Sequence, residues 1–143
     1  METIDIYVEP HCSFSEFIAE VENFLDLSFE RNYDPKYNVT TYNFANELCE
    51  MWTFERDFDG EEGDDAPYDH FPYVIAIHVF QRKEYDPIKD WMIMKDYITN
   101  FGYQVFDTLK QTGKYRLKLT WDSQRLLATF EPDGEANSTA TTS

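Results

Sequence analysis

An α+β fold, a mainly antiparallel sheet with two helices packed on one face, is predicted by three features of this sequence. Segments such as TIDIYVE and KYRLKLTW alternate apolar and polar residues with the two-residue period of a strand that has one covered face. Two other segments carry apolar residues at helical spacing behind helix-start signals, Ser13 with Glu16 and Asp86 with Pro87. The resulting order is strand, helix, strands, helix, strands, which favours an α+β sandwich.

Taken in order, residues 3–9 form the opening strand, with Ile4, Ile6 and Val8 on one side and Asp5, Tyr7 and Glu9 on the other. Pro10 ends it. The run S-F-S-E is a capping box from Ser13 to Glu16, and the helix behind it runs from about 14 to 29, burying Phe14, Phe17, Ile18, Val21, Leu25 and Phe29. Glu16, Glu20, Glu22 and Asp26 occupy its other faces. Glu22 and Asp26 form a like-charge i,i+4 pair with no lysine beside it, as on a surface made for something other than stability.

Residues 31–38 are turn-rich around Asp34 and Pro35. Aromatic and branched residues predict strands over 38–44 and 49–58. The stretch DFDGEEGDDAPYDH, 57–70, is rich in acids and turn residues and reads as a long exposed loop or hairpin tip. YVIAIHVFQ, 73–81, is the most hydrophobic segment and the expected central strand. Asp86 and Pro87 start a second helix over about 87–101, burying Ile88, Trp91, Met94, Ile98 and Phe101, with Gly102 as its C-cap. YQVFD, 103–107, reads as a short strand, and 114–121 with 125–131 as a closing hairpin. The expected organisation is a single globular domain over 1–131 and a disordered tail over 132–143.

At 143 residues the chain is long enough to bury a substantial core. With 42% hydrophobic and 17% aromatic residues it is too apolar for an acidic disordered tail, so its charge of -16 belongs to something that folds. That charge is unevenly placed. Residues 1–70 hold 19 acidic and 3 basic side chains, whereas residues 71–143 hold 9 of each. Such a field attracts cationic partners and repels bare nucleic acid, so a basic protein is expected as partner and direct nucleic-acid binding is not. Solubility alone is the plainer account of the same charge. Neither a basic leader with an apolar run nor any stretch near the roughly 18 apolar residues of a membrane span occurs, so a cytoplasmic protein without a membrane partner is expected. Cys12 and Cys49 are too few for a disulfide framework and are expected as thiols.

Sites of chemistry are not evident. Five glycines form neither a phosphate-binding loop nor a dinucleotide fingerprint. His11 beside Cys12 is a weak basis for a thiol nucleophile, and His78 within the apolar strand reads as structural. His11, Cys12, Cys49 and His70 lack the close ligand pair of a zinc site. Asp57, Asp59, Glu61 and Glu62 do not follow the calcium-loop order and suit only weak, nonspecific divalent binding. No catalytic residue, metal site or cofactor is therefore assigned, and the chain is not expected to be an enzyme.

The remaining candidate is the surface. Acidic residues on the first helix and in the 57–70 loop are interspersed with Tyr33, Tyr37, Tyr42, Trp52, Phe58, Tyr68 and Phe71, and aromatics ringed by carboxylates suit a desolvated binding spot. The expected partner-binding set is Glu16, Glu20, Asp57, Asp59, Glu61, Glu62, Asp64, Asp65 and Tyr68. Trp52 and Phe71 are expected in the core, Phe58 and Tyr68 outside it.

This layout, a capped amphipathic helix after the first strand, an acid-rich middle before FPYVIAIHVF, then DPIKDWMIMKDYITNFGYQVFDT and a hairpin, resembles the small acidic immunity proteins that protect bacteria from toxins of neighbouring cells. The resemblance implies neutralisation of a toxin or nuclease by binding it, with no catalytic residues to carry over. A nucleic-acid mimic that sequesters a DNA-binding protein, and a structural protein whose charge is only a solvated exterior, are the competing readings. A homodimer is compatible with any of the three.

Overall fold

The computed structural model describes residues 3–10, 12–55, 71–79, 91–122 and 124–132. These form strand β1 (Thr3–Glu9), helix α1 (Phe14–Leu25), strands β2 (Glu30–Asp34), β3 (Val39–Ala45), β4 (Cys49–Glu55) and β5 (Tyr73–Val79), helix α2 (Trp91–Thr112), and strands β6 (Arg116–Trp121) and β7 (Arg125–Phe130). The strands make one seven-stranded sheet in the order β2-β3-β4-β5-β1-β6-β7, with antiparallel neighbours throughout. The predicted α+β class, with two helices on a mainly antiparallel sheet, is the observed one.

Alternation in the sequence becomes two faces of this sheet. Ile4, Ile6 and Val8 of β1 join Tyr73, Ile75 and Ile77 of β5, Met51 of β4, and Leu117 and Leu119 of β6 in a single buried cluster. Phe17 and Val21 of α1 and Ile98, Val105, Phe106 and Leu109 of α2 close over it, so both helices cover the same face. The opening strand was read as half-buried, yet Asp5 and Tyr7 on its other side are buried as well. That side of the sheet is covered too: Tyr7 packs there in a second buried cluster with Phe71 and Val74.

The capping box predicted at Ser13 is present. Ser13 Oγ accepts from the Glu16 amide at 3.2 Å, and Glu16 Oε1 accepts from the Ser13 amide at 3.0 Å. The helix ends earlier than predicted, at Leu25, because Asp26 turns left-handed with φ 56° and donates its amide to the Glu22 carbonyl. Phe29 then packs on the core from outside the helix, its amide donated to Glu22 Oε2 at 2.8 Å. Glu22 therefore holds the chain reversal, which is the work of a carboxylate that the sequence offered only as unrelieved charge.

Two other predictions are corrected. Residues 31–38 are not all turn: β2 pairs with β3 through Arg31–Tyr42 and Tyr33–Thr40, and only the stretch after Asp34 turns. In that turn Asp34 Oδ1 accepts from the Lys36 amide, while Asn38 supplies the left-handed residue at φ 54°. Likewise Gly102 does not cap α2, and 103–107 is not a strand. The helix runs through to Thr112, and Ile98, Gly102, Val105, Phe106 and Leu109 make one continuous buried stripe. Gly102 is there because its missing side chain lets α2 lie against Ile4, and Gly113, at φ 69°, is the glycine that ends the helix.

The closing hairpin is as predicted, with Asp122 left-handed at its turn and a bulge between Leu119 and Thr120. The predicted helix start at Asp86 and Pro87 and the tail after Pro132 lie outside the described residues. Among the described residues no helix is long and apolar enough to cross a membrane.

Candidate interaction surface

Carboxylates of the first helix turn out to be tied to the fold. Glu16 closes the capping box. Glu20 accepts the hydroxyl proton of Tyr115, a fully buried ring, and lies 3.5 Å from Lys114 Nζ. Burial, and then this bond to Glu20, hold the Tyr115 hydroxyl well above the usual phenol range. The structure thus brings Glu16 and Glu20 to one helix. The other expected partner-binding residues, Asp57, Asp59, Glu61, Glu62, Asp64, Asp65 and Tyr68, lie outside the described residues, as does Phe58.

A surface with both aromatic and acidic character lies instead on β2, β3 and β4, on the face opposite the helices. Register aligns Glu30, Asn43, Trp52 and Ala76 in one row across the face opposite the helices. Trp52 was expected in the core. It is 41% exposed, because it points to the face of the sheet opposite the helices. Phe71, by contrast, is buried as expected.

The indole is held, not loose. Its edge meets the His78 ring at 5.1 Å and 88°, and His78 Nε2 lies 2.9 Å from Glu50 Oε1. His78 is itself buried and partnered, which agrees with its structural reading. Around Trp52 lie Tyr33, Tyr37 and Val39, all exposed, the first with its hydroxyl donated to Asn38 Oδ1 at 2.9 Å. Together with Asn32, Asp34, Thr41 and Asn43 they line a hollow of about 390 Å³. Asn43 Oδ1 is buried and has no hydrogen-bond partner among the described residues.

Several described cations of the other half make internal contacts. Arg116 is bound by Glu131 at 2.9 Å and Glu9 at 3.1 Å, which raise its already high pKa. Lys95 lies 4.9 Å from both the Trp91 and Trp121 rings, and Lys118 lies over Phe71.

Cys12 and Cys49 are free thiols. Burial pushes Cys49 up to about 11, against a smaller opposing effect of its bond with Asn46. Among the described residues no group of three or more histidines, cysteines or carboxylates is placed to hold a metal ion. The histidines and acids of the metal sets weighed above, His11, His70 and Asp57 to Glu62, lie outside those residues.

No family model matches this chain, and no curated protein or solved structure matches it.

The sequence signal for this surface was partial. Tyr33, Tyr37 and Trp52 stand among acids in the chain, but nothing in their spacing says that two of them sit on an edge hairpin and the third beside it.

Proposed function

We propose that this is an acidic, non-catalytic binding protein of the cytoplasm that neutralises a basic protein, a toxin or nuclease, in the manner of the bacterial immunity proteins it resembles. The observation that carries the reading is the exposed, pinned Trp52 in an apolar hollow on the acid-rich half of the chain. A large indole held in place loses little freedom on binding, and surrounding carboxylates favour a cationic partner over others. The free thiols suit a reducing compartment. Carboxylates of α1 engaged in caps and internal bonds are poorly suited to imitate a regular ladder of phosphates, so the nucleic-acid mimic is the weaker account.

The test is affinity capture with the whole protein as bait, at low and at moderate salt, from the cells that make it. The expected result is one basic toxin or nuclease held near one to one, its activity blocked, and its binding weakened by salt. Capture of only further copies of this chain, or a partner held with no dependence on salt and no response to charge reversal at Glu61, Glu62, Asp64 and Asp65, would refute it.

A further inference from the structure

We infer that the outer edge of β2 is a docking edge for an extended cationic segment, which adds to the sheet as a further strand. The inference rests on the reading above of a basic protein partner and says where that partner is met.

All five residues of β2 are exposed, and among the described residues the strand has a neighbour on one side only. Its far side therefore offers a row of backbone donors and acceptors. Edges left open in this way are usually blunted by lysine, proline or a bulge. β7, at the other end of the sheet, has a bulge in its pairing with β6. β2 contains no lysine, proline or bulge, and its pairing with β3 is regular; its charged residues are Glu30 and Asp34 on the face of Trp52 and Arg31 on the other.

Side-chain chemistry then selects the occupant. Glu30, Asn32 and Asp34 share the face that carries Trp52, and the two carboxylates stand about 13 Å apart, the span of four strand residues. A second copy pairing edge to edge about Asn32 sets Glu30 opposite Asp34 of the other copy, at both ends of the contact. Lysine or arginine at those two places makes both contacts attractive. The fitting segment is thus extended, with cations four residues apart on one face. Trp52 lies two strands inside the edge, where residues flanking the added strand would cover it.

The test uses a synthetic heptapeptide of threonine and valine with lysines at its second and sixth positions and both ends blocked. It is titrated at low salt into the isotopically labelled full chain, and backbone amides are followed by NMR. The expected result is saturable shifts confined to β2 and β3, lost when the peptide backbone is N-methylated on its pairing side. The double variant Glu30→Gln, Asp34→Asn should bind about fivefold more weakly. Both positions are exposed, and the side-chain amide introduced by Asp34→Asn keeps an oxygen acceptor for the Lys36 backbone N–H, so folding is preserved.

Shifts centred on α1, unchanged affinity in the double variant, or no saturable binding would overturn the inference. The two proposals fail separately. A captured basic protein that binds the double variant as well as the parent removes the docking edge and leaves the binding function. Peptide binding at β2 without any basic protein captured keeps the edge and removes that function.

Discussion

Replacing Gly102 by alanine should destabilise this protein, although glycine to alanine inside a helix ordinarily does the reverse. In an open helix the change is worth about 1 kcal/mol in favour of folding. Here a Cβ on Gly102 falls well inside the van der Waals contact distance of Ile4 Cγ2. Ile4 cannot retreat: it is fully buried, branched at Cβ, and fixed in β1 between Ile77 and Trp121. Overpacking of this kind costs roughly 1–3 kcal/mol, and so little room for relaxation argues for the upper end. The net expectation is a loss of about 2 kcal/mol, or a fall of about 6 °C in Tm. Urea unfolding followed by far-UV circular dichroism measures it. Ile4→Ala removes the clashing methyl, so in a double-mutant cycle the pair should lose at least about 1 kcal/mol less than the sum of the single losses. A Gly102→Ala protein as stable as the parent, or more so, would refute the close approach of α2 to β1.

Two further outcomes follow from buried polar groups. Thr53 is fully buried in the sheet and its Oγ1 has no partner among the described residues, so Thr53→Val should raise stability by about 1 kcal/mol in the same unfolding assay; a loss would mean that the hydroxyl is satisfied. Cys49 keeps its proton up to about 11 when folded, against 9.0 as a free thiol, so between these values the folded chain binds more protons and rising pH favours unfolding. Stability should drop by about 2 kcal/mol from pH ~8.5 to pH ~10.5 through Cys49 alone. Tyr73, raised by burial to about 12, extends the loss to higher pH. A Cys49→Ala protein with an unchanged alkaline profile would disprove the Cys49 contribution.

Legibility of the fold in the sequence followed local signals. β1 and β6 alternate because one face meets both helices, β5 is apolar nearly throughout because both its faces are buried, and Ser13 with Glu16 marks the start of α1 without help from the rest of the chain. β2 could not be read, since all five of its residues are exposed and only pairing with β3 makes it a strand. Gly102 misled for a related reason. A glycine after an apolar run signals a cap, and only the approach of Ile4, a residue far off in the chain, makes it a helix interior. The expected binding surface was legible in kind, aromatics among acids, but not in place. Trp52 lies in an apolar-looking strand, and its exposure depends on which face of the sheet it occupies and what packs there, which tertiary packing decides and composition does not. Most of the acids chosen from the sequence lie outside the described residues, while Glu16 and Glu20 hold internal bonds.

Strand order also dictates when this chain can fold. β1 is synthesised first, yet Ile6 pairs with Ile75 on one side and Leu119 on the other. Until β5 and β6 leave the ribosome, its three branched apolar residues have no strand to join. The hairpins of β2, β3 and β4 need no such wait, since their partners are neighbours in the chain. The acid-rich edge can therefore assemble early, while the centre of the sheet must be closed last, by contacts of long sequence separation that are slow to form. During that interval the amino-terminal strand is the segment most exposed to wrong pairing, and the charge that surrounds it in the first half of the chain keeps nascent copies apart.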